Sequence, residues 1–302
     1  MRIASLVPSA TEALFALGFG EHVVAVTHEC DHPHEALGLP RLTRSVLPAH
    51  LEPGEVDARV REIIGRGEPL YELDEPALSR LAPDLIVTQA VCAVCAVSYD
   101  DVRAVAARLE SRPAVLSLDP EDLAEVLDDL VRLAEACGNR GAGVALRAGL
   151  RGRLERLRAT VETSRRPRVL ALEWFDPPYV AGHWVPDMVE VAGGISVAGE
   201  PGEDSRVASW EELPAAEPEV VVAMPCGLHM DEAAEHALVY RDRIERLGAQ
   251  RLIAVDAAGS FSRPGPRLTD GAELLGHLLH PDRVPEPGNL AWRELSPAHS
   301  RA

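Results

Sequence analysis

The chain has no lysine, since all 30 of its basic residues are arginine. That absence excludes phosphate loops built on a Walker lysine, pyridoxal chemistry on a Schiff-base lysine, and lysine-dependent aldolases. Aromatic residues are scarce, at 4% of 302 residues, so any place where they gather carries information. Positive charge is also in deficit. A formal net charge of −18 argues against a nucleic-acid partner, because phosphate binding needs a basic surface. No apolar run approaches the roughly 18 residues of a membrane span. HExxH and GxGxxG motifs do not occur, and Ser9 lacks the flanking glycines of a nucleophile elbow. A hydrolase or nicotinamide enzyme therefore has no support, and a non-catalytic role is expected.

The beginning of the chain lacks a charged segment followed by an apolar stretch and a small-residue cleavage site, and no lipid-anchor cysteine lies near it. Read as written, this places the protein in the cytoplasm. Five cysteines in that compartment are thiols, metal ligands or core residues rather than disulfides.

What is present is alternation. Short β-branched runs at 2–7, 22–27, 84–89 and 114–119 alternate with helical patterns near 9–18, 55–66, 74–81, 99–110 and 121–137. Ser9-Ala10-Thr11-Glu12 reads as a capping box at the first helix. The alternation restarts with strands at 168–173, 219–224 and 251–256 and helices near 186–192, 231–247 and 267–279. This pattern predicts an α/β fold of two three-layer lobes with mostly parallel sheets. Leucines at 146, 150, 154 and 157 predict one long helix over 140–166, about 39 Å in length, joining the lobes with a cleft between them. Its many arginines form either a solvated face or an anion site. The domain reading is a lobe over 1–139, the connecting helix, a lobe over 167–280 and a tail over 281–302. The lobes echo each other weakly. Pro83-Asp84 and Pro218-Glu219 each precede a buried strand with a cysteine just past its end.

Ligands of open α/β sheets bind beyond the carboxyl ends of the strands. Four of the five cysteines fall at such ends: Cys30, Cys92, Cys95 and Cys226, while Cys137 reads as a packing residue. Four soft thiolates suit tetrahedral zinc or an iron–sulfur cluster, with His28 replacing one of them or standing behind them. Cys92 and Cys95 also form a CxxC ahead of a helix, which leaves a thiol redox enzyme as a further reading. The scarce aromatics gather in 173–184, where Trp174, Tyr179, His183 and Trp184 suit a flat ligand. Phe261 and Arg263, after the last strand, would add a ring and a guanidinium.

These residues resemble a known family. Ile3 to Glu12, His22 to Thr27 and Leu73 to Thr88 are similar to the substrate-binding proteins of iron-siderophore and vitamin B12 ABC importers, over roughly residues 1–280. His28-Glu29-Cys30, Cys92 to Ala96, Glu173 to Pro186 and Phe261 to Pro266 resemble a subgroup described as cobalamin-binding. The resemblance implies two lobes on one helical backbone and cobalamin or a related metal complex as ligand. It also implies an ABC permease as partner if the protein is exported. His28, Cys30 and His183 would meet the metal or the polar edge of the ligand. The rival reading is a protein that carries its own cluster or zinc for sensing or catalysis.

Overall fold

The computed structural model describes residues 1–48, 51–90, 97–288 and 290–295. The chain forms two α/β units, Met1–Pro120 with Ala124–Gly149, and Glu121–Leu123 with Leu150–Ala302.

The first unit is built on four parallel strands: β1 (Ile3–Ser5) and β2 (Val23–Ala25), later joined by Leu85–Thr88 and Ala114–Ser117. Pro8 ends the first strand segment and opens α1 (Pro8–Ala16), a position where its missing N–H costs nothing. The helix therefore starts one residue before Ser9. Val7 is the N-cap, and the expected Ser9 capping box is not formed. The hydroxyl nearby serves tertiary contacts instead, since Thr11 Oγ1 donates to Ser5 Oγ at 2.8 Å.

A short antiparallel pair, β3 (Thr43–Ser45) and β4 (Tyr71–Leu73), flanks α2 (Pro53–Gly65) in sequence. It was not foreseen, because three-residue strands give no periodic signal. α3 (Glu75–Leu81) is capped by Asp74, whose carboxylate accepts from Ala77 N at 2.8 Å. Then follow β5 (Leu85–Thr88), α4 (Tyr99–Arg108), β6 (Ala114–Ser117) and α5 (Leu123–Ala136). The sheet order is β2-β1-β5-β6. Every residue of β1 and β5 is buried, so both faces of the sheet are covered, as a parallel sheet requires.

The 22-residue α6 (Arg140–Val161) carries the chain from one unit into the next, burying Leu150, Leu154 and Leu157. Its arginines are largely committed to ion pairs. Arg147 meets Asp128, Arg151 meets Glu155, and Arg153 bridges Asp270 and Glu273.

The second unit centres on β7 (Arg168–Phe175), two residues longer than the sequence pattern indicated. It turns into β8 (Pro178–Val180), and α7 (Val185–Val191), β9 (Ile195–Ser196), β10 (Arg206–Val207) and β11 (Val220–Ala223) follow. The single helix expected over 231–247 is two, α8 (Met230–Val239) and α9 (Arg241–Glu245), broken at Tyr240. β12 (Arg251–Val255), α10 (Ala257–Ser260), α11 (Leu268–Leu279) and β13 (Trp292–Glu294) complete the unit. The sheet order is β10-β8-β7-β11-β12-β13, with β9 beside β7. β7, β11 and β12 are parallel, β8 and β13 run antiparallel beside β7 and β12, and β10 pairs antiparallel with β8. Leu170, Leu172, Val221, Ala223, Leu252 and Ala254 face Ala234, Ala237, Ile244 and Leu247 in one apolar cluster. β13 lies within the segment read from sequence as a tail.

Candidate functional site

In the first unit, the carboxyl ends of β1 and β2 lead into Leu6–Pro8 and Thr27–Glu29. There His28, Glu29, Thr43 and Tyr71 surround a small depression with Leu6, Pro8, Thr27 and Val97. β3 and β4 supply Thr43 and Tyr71, so the overlooked strand pair is what completes this site. His28 Nδ1 lies 2.8 Å from Thr43 Oγ1, and its ring packs 5.5 Å from the Tyr71 ring. The Tyr71 hydroxyl donates to Glu29 Oε1 at 3.3 Å, and His28 Nε2 lies 3.8 Å from the same oxygen. Burial pushes the His28 pKa below its ordinary value, with Arg41 adding to the effect and Glu29 opposing it. The imidazole is therefore neutral at neutral pH, with Nδ1 engaged and Nε2 turned toward the carboxylate. A neutral imidazole oriented through its other nitrogen has the form of a metal ligand.

Past Tyr71, a cavity of about 880 Å³ is lined by Tyr71, Tyr99, Gln89 and Val105, by the acidic residues Glu68, Asp100 and Asp101, and by Arg108. Glu72 and Glu75, also on its wall, are neutralised by Arg44 and Arg108. The volume is in the range that holds a sizeable small molecule.

Cys30 is not presented to this depression. It is 1% exposed, with Sγ 3.1 Å from Thr11 Oγ1 and 3.3 Å from Thr27 Oγ1, the packing of a small core residue. Cys226, past β11, is exposed, and Cys137 is half-buried with its thiol pushed up to about 11 by burial. Cys92 and Cys95 lie outside the described residues. Among the described residues, no group of three or more His, Cys, Asp or Glu side chains could hold a metal ion. The iron–sulfur and zinc readings therefore have no support there, and the thiol-redox reading falls on Cys92 and Cys95, outside the described residues.

In the second unit, the aromatic segment is a hairpin rather than a free loop. Trp174 belongs to β7 and Tyr179 to β8, where they pair in register, and both are half-buried. The Trp174 ring meets the edge of His236 at 6.0 Å. Trp184 is 6% exposed, and its indole Nε1 donates to Phe261 O at 2.7 Å. Phe261 is 1% exposed. Both were expected to offer flat surface to a ligand, yet each already spends that surface within its own core. Arg263 lies half-buried just beyond. His183 has a left-handed backbone (φ 49°), with its ring 5.5 Å from the Trp184 ring and Nδ1 3.8 Å from the Asp204 carboxylate.

Sequence reasoning missed Tyr71 and Thr43, although Tyr71 is one of only four tyrosines. It also gave Glu173 no role. This residue stands at a β-bulge, where Leu172 pairs with Val180 and Trp174 with Tyr179, and bulges re-aim side chains beside functional sites. Burial pushes the Glu173 carboxyl up to about 7, against the pull of the Ser205 hydroxyl.

Comparison with known proteins agrees with this architecture. A family described as periplasmic binding protein matches residues 3–254. The vitamin B12-binding protein of Vibrio cholerae is 24% identical over 280 residues, covering 90% of this chain and 86% of that protein. The crystal structure of the periplasmic vitamin B12-binding protein of Vibrio cholerae is similar with a TM-score of 0.65, at 22% identity, over 92% of this chain and 96% of that one. A periplasmic heme-binding protein from Pseudomonas aeruginosa gives a TM-score of 0.70 at 22% identity, over 93% of both chains. These matches correct the expectation of a cytoplasmic protein, since the family and these solved relatives are periplasmic, which points to that compartment. With two α/β units following one another through α6 and a family match over most of its length, the chain belongs to the periplasmic binding protein family.

Proposed function

We propose that this protein is the substrate-binding component of an ABC importer for cobalamin or a closely related metal complex fringed with amides. The observation that carries this reading is the acid-lined cavity beside His28 in the first unit. A cobalamin edge presents neutral amide N–H groups, which Glu68, Asp100 and Asp101 can accept. A haem edge presents carboxylates, which the same residues repel, and the −18 net charge of the chain adds to that repulsion. His28 is assigned to the metal, because its neutral ring has Nδ1 on Thr43 and Nε2 directed away from it. In the second unit, Trp174, Tyr179, His183 and Arg263 are assigned to the ligand's face and edge. The vitamin B12-binding relative supports the same ligand class. The permease of such an importer is the partner.

Calorimetric titration with hydroxocobalamin, cyanocobalamin and haemin tests the assignment. Micromolar or tighter binding of a cobalamin, with haemin at least tenfold weaker, is the expected result. Tighter binding of haemin overturns the choice of ligand, and binding of neither overturns the importer reading.

A further inference from the structure

The stretch ahead of β10 is strapped by its backbone onto the stretch ahead of α7. His183 N donates to Glu203 O at 2.6 Å, Gly202 N donates to His183 O at 3.1 Å, and Ser205 Oγ accepts the Gly182 N–H at 3.1 Å. The approach is close enough to need glycine, since a Cβ on Gly182 would stand 2.3 Å from Glu203 O. Bonds at Glu203 and Ser205 hold Asp204 between them. Its Oδ1 lies 3.8 Å from His183 Nδ1, and its side chain is 93% exposed, so nothing encloses it against rotation. The ring lacks such a partner. His183 Nδ1 is sealed from solvent and makes no hydrogen bond, although the side chain as a whole is 18% exposed. The exposed edge of the imidazole is therefore not the Nδ1 edge, and a ligand must meet the other nitrogen.

We propose that Asp204 is a positioning residue for His183: its carboxylate turns onto the Nδ1–H and fixes the neutral imidazole in the tautomer whose Nε2 is a bare acceptor. The proposal rests on the assignment of His183 to the ligand. In a neutral imidazole one nitrogen donates and the other accepts. An ionised carboxylate only accepts, so it selects the proton on Nδ1. Nε2 then offers a lone pair to an amide N–H and has no proton to offer a carboxylate. His183 in the second unit thus favours the same edge chemistry as the acidic wall in the first. The turn of Asp204 fixes one exposed side chain and gives the buried Nδ1 the bond that it lacks. The strap supplies the geometry, because it holds the backbone on both sides of Asp204 to the backbone that carries the ring.

Nitrogen-15 NMR of the histidine rings in the ligand-free protein, at about pH 8 and so above the ordinary histidine range, reads the tautomer directly. The His183 signals, identified by their loss in H183A, should show the proton on Nδ1. In D204A the proton should move to Nε2, which an unassisted imidazole prefers. In D204N, whose amide oxygen still accepts, it should stay on Nδ1. D204A should bind hydroxocobalamin about tenfold more weakly than the parent protein, and D204N within about threefold of it. In an H183A background D204A should bring no further loss, whereas a general effect of surface charge would persist. A proton on Nε2 in the parent protein overturns the pairing, and so does an Nδ1 proton retained in D204A. Unchanged hydroxocobalamin affinity in D204A overturns the positioning role. If hydroxocobalamin does not bind the parent protein at all, the ligand assignment fails, while the NMR result still decides the pairing.

Discussion

Glu219 Oε2 accepts the backbone N–H of Arg168 at 3.0 Å, and in the other unit Asp84 Oδ2 accepts the backbone N–H of Arg2 at 2.7 Å. Each acid follows a proline just ahead of a central strand and ties down the start of the strand beside it, at Arg168 in β7 and at Arg2 just before β1. The main chain repeats the match, with Glu219 N on Arg168 O and Asp84 N on Arg2 O, both at 2.8 Å. The Pro-acid echo in the sequence is thus one device used twice, closing the amino end of the parallel central strands in each sheet.

Removing either carboxylate should destabilise the protein by about 1 kcal/mol, the usual worth of such a bond. The Arg168 N–H, helped by Arg165, holds the Glu219 carboxyl below its ordinary range. A lowered acid stabilises the fold above its unfolded pKa, and that contribution disappears as the pH falls through the folded value. E219Q should therefore lower the urea midpoint at neutral pH and match the parent protein in strong acid. Equal midpoints at neutral pH would refute this role.

His28 should control affinity for a ligand with an exchangeable axial position. H28A should weaken hydroxocobalamin binding by tenfold or more, about 1.4 kcal/mol, and leave cyanocobalamin less affected. Because burial lowers the pKa of His28, protonation, and with it the loss of affinity, should come below the ordinary histidine range. Titrations at stepped pH in the parent protein and in H28A would show whether the acid loss belongs to this ring.

Asp129 carries the opposite pH signature to Glu219. Burial pushes its carboxyl up to about 6, against the attraction of Arg132. Between its unfolded value and about 6, the folded chain keeps a proton that the unfolded chain has lost, so stability falls as pH rises through that window. D129N should flatten this decline and gain on the order of 2 kcal/mol on the parent protein by neutral pH, less what the lost Arg132 pair contributed. Thermal melts across the range would reveal the change of slope.

The two tryptophans at the ends of the aromatic segment should separate by experiment. W184A removes a buried ring and its bond to Phe261 O, and should cost about 3–5 kcal/mol of stability. W174A removes a half-buried ring, and should reduce cobalamin affinity with a much smaller shift in melting temperature. A reversed pattern would exchange their roles.

The α/β alternation, the long helix and the central strands could be read from the sequence because they depend on periodic burial, which leaves a pattern in the chain. Tyr71 and Thr43 could not, because their importance comes from a three-residue strand pair, and nothing in 43–45 or 71–73 is periodic. Trp184 misled for a related reason. Its scarcity and its place past a strand suggested a ligand, but composition does not reveal that Phe261 O waits for its indole. Cys30 is similar, a thiol at a strand end whose neighbours, Thr11 and Thr27, draw it into the core. Glu173 was hidden by a bulge, since one extra residue in β7 changes which side its carboxyl faces and no pattern in the sequence marks the insertion.

β13 pairs Trp292, Arg293 and Glu294 with Val255, Ala254 and Ile253 of β12. Glu294 also meets Arg251, and Arg293 meets Asp231. A strand that would otherwise leave a flat row of amides and carbonyls open to any passing chain is thereby sheathed in charge. The last described stretch of the protein thus guards against self-association at that margin. Trimming it should cost solubility at high concentration before it costs ligand binding.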